Sequence, residues 1–117
     1  MENEFIPYEL ALALKELGFD EPCFGKWFIE SKFLLPLFTK KEDIIPNNIT
    51  ILAPLYQQAF RWFRKKHGLY HHIGQGSKYA TFNICDKNLN LWGNDNFNTW
   101  EKAELECLKK LIELCKK

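Results

Sequence analysis

Pro54 and Gly68 bracket the stretch that most constrains this chain: Leu55-Tyr56-Gln57-Gln58-Ala59-Phe60-Arg61-Trp62-Phe63-Arg64-Lys65-Lys66-His67. Proline has no amide hydrogen to lose and a φ suited to a first helical position, while glycine supplies the left-handed residue that stops a helix. The spacing predicts one helix of about four turns. Leu55, Tyr56, Ala59, Phe60 and Phe63 recur so as to collect on one face, with Gln57, Gln58, Arg61, Arg64 and Lys65 opposite. A face that apolar must be covered, so the rest of the chain has to supply a core for it.

With 117 residues the chain is long enough for one independent core, and a single domain over residues 1–117 is expected. Its 46% hydrophobic and 26% charged residues exclude a disordered class. No apolar run approaches the ~20 residues of a membrane span, so no membrane partner is expected. Met1-Glu2-Asn3-Glu4 is acidic and is not followed by an apolar stretch with a small-residue cleavage site, which places the chain in the cytoplasm by expectation. Cys23, Cys85, Cys107 and Cys115 form no C-x-x-C pair, which excludes a zinc-knuckle or redox-motif reading. Cys107 and Cys115 would lie about 12 Å apart on a helix, too far for a disulfide. Reduced thiols acting as small apolar residues are expected.

Charge is unevenly placed. Residues 1–60 hold nine acids against five lysines, whereas Arg61, Arg64, Lys65 and Lys66 give +4 over residues 61–72 without a single acid. The overall net charge of +1 argues against a strong nonspecific nucleic-acid binder, which rides on a large positive excess.

Taken in order, Pro7 opens a first helix over about residues 7–17, with Leu10, Ala13, Leu14 and Leu17 as its stripe and Gly18 as its stop. Phe24 to Phe38, broken by Gly25, Ser31 and Pro36, suits two short strands, the second at an edge because proline cannot donate to a ladder. Lys40 to Asn48 reads as a surface loop, with turn residues in Ile45-Pro46-Asn47-Asn48, and Ile49-Thr50-Ile51-Leu52 as a lead-in to the central helix. Leu69–Ile73 and Tyr79–Ile84 flank Gly74-Gln75-Gly76-Ser77 as an antiparallel hairpin. Residues 86–98, rich in Asn, Asp and Gly, promise at most a short strand. Asn98 with Glu101 three residues on predicts a capping box and a last helix over about 99–115, striped by Leu105, Leu108, Leu111, Ile112 and Cys115. Four lysines among the last nine residues oppose the negative helix end. The fold class is α+β: a small, mainly antiparallel sheet with an N-terminal, a central and a C-terminal helix. The rival is a mostly helical domain in which residues 24–38 form a further helix.

Three blocks carry a resemblance: Ile6-Pro7-Tyr8-Glu9-Leu10-Ala11-Leu12-Ala13-Leu14-Lys15-Glu16-Leu17-Gly18-Phe19-Asp20-Glu21-Pro22-Cys23, then Ala53 to Arg64, then Ala103-Glu104-Leu105-Glu106-Cys107-Leu108-Lys109-Lys110-Leu111-Ile112. In this order they resemble small proteins common in phages and prophages of Bacteroidetes, and residues 24–52 and 71–97 lie outside the match. The resemblance implies a viral accessory role, and with it a stoichiometric inhibitor of host defence whose partner is a CRISPR RNA-guided effector nuclease or its RNA complex. It carries no catalytic residues, and no cofactor.

From the residues themselves, the candidate partner surface is Arg61, Arg64, Lys65, Lys66, His67, Tyr70 and His71, with Trp62 beside them and Gln75 in the hairpin adding specificity. Cations next to exposed rings grip phosphates and stack bases, or anchor a protein interface; the plain reading is a solvated helix face offsetting the helix dipole. A small RNA- or DNA-binding protein is thus the alternative function. His67, His71 and His72 suggest a metal site, but Gly68 breaks the helical spacing and a strand sends His71 and His72 to opposite faces. No metal is therefore expected. Ser31 and Ser77 lack a nucleophile elbow, Glu104 and Glu106 diverge on a helix, and Gly74-Gln75-Gly76 lacks the context of a phosphate loop, so no enzyme is expected.

Overall fold

The computed structural model describes residues 4–44 and 47–116, and holds three α-helices with two three-stranded antiparallel sheets, an α+β fold. Met1–Asn3 of the acidic N-terminus, Ile45 and Pro46 of the expected loop, and Lys117 lie outside the described residues. The chain divides into two compact units that part between Gln58 and Ala59.

In the first unit, helix α1 spans Tyr8–Glu16 behind Pro7. It ends in a Schellman motif: Phe19 N–H reaches the Leu14 carbonyl and Gly18 N–H the Lys15 carbonyl, both at 3.0 Å, with Gly18 at φ +97°. The expected stripe is rotated slightly, since Ala11 and Leu14 are buried while Leu10, Ala13 and Leu17 are half-buried. Strands β1 (Lys26–Phe28), β2 (Leu34–Leu35) and β3 (Thr50–Leu52) form a sheet in the order β2-β1-β3. The further helix over 24–38 is thereby excluded, and β2 lies at an edge and stops at Pro36 as expected. The lead-in Ile49–Leu52 is instead a paired strand: the Asn47 side-chain oxygen accepts from the amides of Ile49 and Thr50 at 2.7 and 2.8 Å, turning the chain onto β1, with Trp27 opposite Ile51. Phe5, Leu34 and Ala53 make a buried cluster against which Trp27 and Leu55 pack. The Trp27 indole donates to the Ile6 carbonyl at 3.1 Å and meets the Tyr8 ring edge-on.

Helix α2 covers Tyr56–His67, about three turns. It starts two residues after Pro54 because the Pro54 carbonyl accepts from Ile6 N–H at 3.0 Å and Leu55 bridges Phe5, which keeps residues 53–55 extended. Its buried side chains in the second unit are Ala59, Phe60, Trp62 and Phe63. After it come β4 (Tyr70–Gln75), β5 (Ala80–Cys85) and β6 (Leu91–Phe97), paired in the order β4-β5-β6. The β4–β5 hairpin forms as expected, but its turn lies two residues later, at residues 76–79, because Gly74 and Gln75 pair with Thr81 and Ala80 and extend β4. The correction is β6, which at seven residues is the longest strand of the molecule as described. Asp86 makes that possible: one carboxylate oxygen accepts from the amides of Asn88 and Asn90 at 2.9 and 3.0 Å, and Leu89 takes φ +64°, so the Asn-rich segment folds back on β5.

Helix α3 (Trp100–Cys115) packs across β4, β5 and β6. Ala103, Cys107, Leu108, Leu111 and Ile112 are its buried residues, while Ile73, Ala80, Phe82 and Ile84 are buried in the strands. The cap sits at Thr99, whose hydroxyl accepts from Lys102 N–H at 3.1 Å, one residue past the expected Asn98. Lysine rather than Glu101 then occupies the third helical position, so there is no capping box. The expected lysine clamp on the helix end is also absent from the last turn; Lys109 and Lys110 pair with Glu106 and Glu113, and Lys116 is the C-cap.

Candidate binding surface

Helix α2 contains four Arg and Lys residues and no acid, and its apolar periodicity decides which way they point. With Phe60 and Phe63 buried, Arg61, Arg64, Lys65 and Lys66 are all exposed, and among the described residues none of the four makes an ion pair. Arg64, Lys65 and Lys66 stand in the last turn, where cations lower the energy of the carbonyl-rich end. Gly68 at φ +63° stops the helix, Leu69 N–H reaches the Phe63 carbonyl at 3.2 Å, and β4 begins at Tyr70.

The two histidines of the candidate surface behave differently from the four cations. His67 is exposed but lies edge-on to the Trp62 ring at 4.9 Å, and partial burial lowers its pKa. His71 stacks on Phe60 at 3.9 Å, and burial, with Arg64 and His72 nearby, lowers its pKa to about 4. Both are neutral at neutral pH, and the positive charge is carried by Arg and Lys alone.

The structure brings Arg61, Arg64, Lys65, Lys66 and His67 together on α2 and sets Tyr70, 45% exposed, immediately after them. It does not bring the remaining three residues to that surface. Trp62 is 3% exposed and belongs to the core; His71 is turned inward onto Phe60. Gln75 stands five residues along β4, about 17 Å from Tyr70, with its side-chain amide donating to the Gly76 carbonyl.

Two features are not legible in the sequence. Lys87 lies with its side chain against Gly68: a Cβ there would sit 3.3 Å from the lysine Cε, so a further cation joins the end of α2. The second is the outer face of the sheet. Register puts Tyr70, Cys85 and Leu91 in one row and His72, Asn83 and Gly93 in the next, while Ile73, Phe82 and Ile84 face the other way into the core. Tyr70, His72, Asn83, Leu91 and Gly93 are exposed. The Tyr70–Cys85 pairing, once the hairpin is accepted, was the signal that could have located Lys87.

In the first unit the exposed surface is aromatic. Phe24, Phe33, Leu37 and Phe38 are each more than half exposed, and the Phe24 and Phe38 rings touch at 5.3 Å. A hollow of about 270 Å³ beside α1 and β3 is lined by Ala11, Phe19, Ile51 and Leu52; its titratable lining is Lys15 and Asp20 among the described residues, without an imidazole or a thiol. No three of His, Cys, Asp and Glu converge on a metal-sized site among the described residues. The four cysteines are unpaired; burial, joined by Glu21 near Cys23 and Glu104 near Cys107, raises both those thiols to about 12.

No family model, curated protein or solved structure matches this chain.

Proposed function

We propose that this chain is a non-enzymatic binding protein that works by occupying one macromolecular partner through the cationic face of α2. The observation that carries the proposal is the set Arg61, Arg64, Lys65 and Lys66: four exposed charges on a helix without acids, left without ion pairs among the described residues. On α3, by contrast, Lys102 and Lys109 close on Glu106 and Lys110 on Glu113, which is how a merely solvated helix face spends its charges. Unpaired like charges repel one another, and a partner with complementary charge relieves that repulsion and speeds association.

Taken with the resemblance to phage and prophage proteins, the partner is a host defence machine in the bacterial cytoplasm, and specifically a CRISPR RNA-guided effector nuclease or its RNA complex. The role is that of an accessory inhibitor. The test pairs two measurements on a defended host: plating of a targeted phage, and affinity capture of the tagged chain followed by mass spectrometry. Expression of the wild type is expected to raise plating and to recover the effector, and changing all four cations to Ala to abolish both. Capture of no defence component together with unchanged plating overturns the inhibitor reading.

A further inference from the structure

The outer face of the β4-β5-β6 sheet begins at Tyr70, three residues after α2 ends, and its Tyr70, His72, Asn83 and Leu91 side chains are exposed. We infer that this face is a stacking platform for single-stranded nucleic acid, with the end of α2 and Lys87 holding the phosphates. The inference rests on the reading above that α2 engages a partner through its charges, and it names the chemistry of that partner.

The first support is geometry. Tyr70 and His72 alternate on β4 with the inward His71 and Ile73, so their exposed rings project from the same face about 7 Å apart along the strand. That spacing lets each ring take a separate base of an extended strand. Beside His72, Asn83 lies across β6 at Gly93: a Cβ on Gly93 would fall 2.8 Å from the Asn83 side-chain oxygen and 3.0 Å from the Phe82 carbonyl. The row is therefore flat and carries a carboxamide, a group that can hydrogen-bond base edges. Leu91, 76% exposed, extends the Tyr70 row with an apolar surface against which a base or sugar can rest.

The second support is charge complementarity. Residues 59–117 carry eleven Arg and Lys against six acids. Four of those acids are on α3, where Glu106 and Glu113 are already paired. At the Tyr70 end of the sheet stand Lys65, Lys66 and, through its contact with Gly68, Lys87. The nearby Asp86 carboxylate is engaged by Asn88 and Asn90, and the remaining acid, Asp95, is near the other end of β6. Open rings flanked by unpaired cations match a polyanion whose bases are free to stack, and a duplex hides those bases.

The test is fluorescence polarisation of the full chain with labelled oligo-uridine and oligo-thymidine of about a dozen nucleotides, each over a salt series, against a duplex of equal length and polyglutamate. Single strands are expected to bind, more tightly than duplex or polyglutamate. The slope of log affinity on log salt should shrink by about 0.7 for each cation removed at Lys65, Lys66 or Lys87. Tyr70→Ala should weaken single-strand binding roughly 5- to 150-fold without changing that slope, and His72→Ala should do the same to a smaller degree. Unchanged thermal melting of the variants checks that these exposed substitutions leave the fold intact. Equal uridine and thymidine affinities mean that the platform reads bases and phosphates alone, and a preference for uridine adds the 2′-hydroxyl; either supports the inference. It is overturned by equal binding of duplex or polyglutamate, by indifference to Tyr70→Ala, or by no binding at low salt. If single strands fail while the α2 cations still recover an effector protein, the platform falls and the binding reading stands; if both fail, both fall.

Discussion

The two units solve the same problem by different means. The first makes a sheet from strands of three, two and three residues, too short to hold by ladder bonds alone, and fastens it with single contacts: the Trp27 indole on the Ile6 carbonyl, Ile6 N–H on Pro54, the Phe5 ring against Gly25. The second pairs strands of six, six and seven residues and lays a sixteen-residue helix across them, with five buried side chains from that helix alone. One unit depends on particular contacts, the other on repeated ones. The lesson is that sensitivity to substitution should be concentrated at a few fasteners in the first unit and graded by burial in the second.

The largest effect is expected in the second unit. Phe63 is fully buried, and Phe63→Ala should destabilise by about 3–5 kcal/mol in urea unfolding, since transfer and cavity terms add. An exposed-residue cost, below about 0.5 kcal/mol, would break the comparison. Next, Gly25→Ala in the first unit drives a methyl to within 2.8 Å of the Phe5 ring, and should cost about 1–3 kcal/mol as an overpacking change although only one carbon is added. Shortening the ring in a Phe5→Leu background should recover part of that loss, which a generic strand effect would not.

A pH series sharpens the comparison further. His71 in the folded chain titrates at about 4, below the usual 6.5, so the unfolded chain binds more protons between those values and stability rises with pH there. Stability should thus decline as pH falls from about 6.5 to about 4, by about 1–2 kcal/mol once the solvent-facing side of the ring is allowed for. His71→Phe, which keeps a ring on Phe60, should flatten that decline in a thermal-melt series. Thr99→Ala removes the α3 cap and should cost about 1 kcal/mol, measured by the same unfolding. The smallest change is Glu106→Gln: the carboxylate between Lys102 and Lys109 is surface-exposed chemistry, and its loss should shift stability by less than about 0.5 kcal/mol.

How far the sequence reads depends on where its punctuation is strong. Pro7 and Gly18 mark α1, Pro36 stops β2, and the glycine-bearing stretch between two β-rich runs announces the hairpin, though Gly74 and Gln75 extend β4 and the turn falls at residues 76–79, so these elements are legible. β3 and β6 are not, because each is held by a side-chain turn rather than by propensity: Asn47 delivers β3 and Asp86 delivers β6. An Asn-, Asp- and Gly-bearing strand such as Leu91–Phe97 is disfavoured residue by residue and persists because β5 pairs along its length. At the surface, helical periodicity was enough to expose Arg61, Arg64, Lys65 and Lys66, and strand alternation to separate His71 from His72. Periodicity cannot say that Trp62 belongs to the core or that Phe24, Phe33 and Phe38 stay outside it, since those outcomes depend on which elements meet.

The four unpaired cysteines give the molecule a built-in chemical clock. Cys23 and Cys107, fully buried and raised to about 12, expose almost no thiolate at neutral pH and should resist alkylating agents for as long as the chain stays folded. Cys85 sits between Tyr70 and Leu91 on the open sheet face, partly accessible. Its rate of modification therefore reports whether that face is occupied, while the silence of Cys23 and Cys107 certifies that each unit is still folded when the reading is taken.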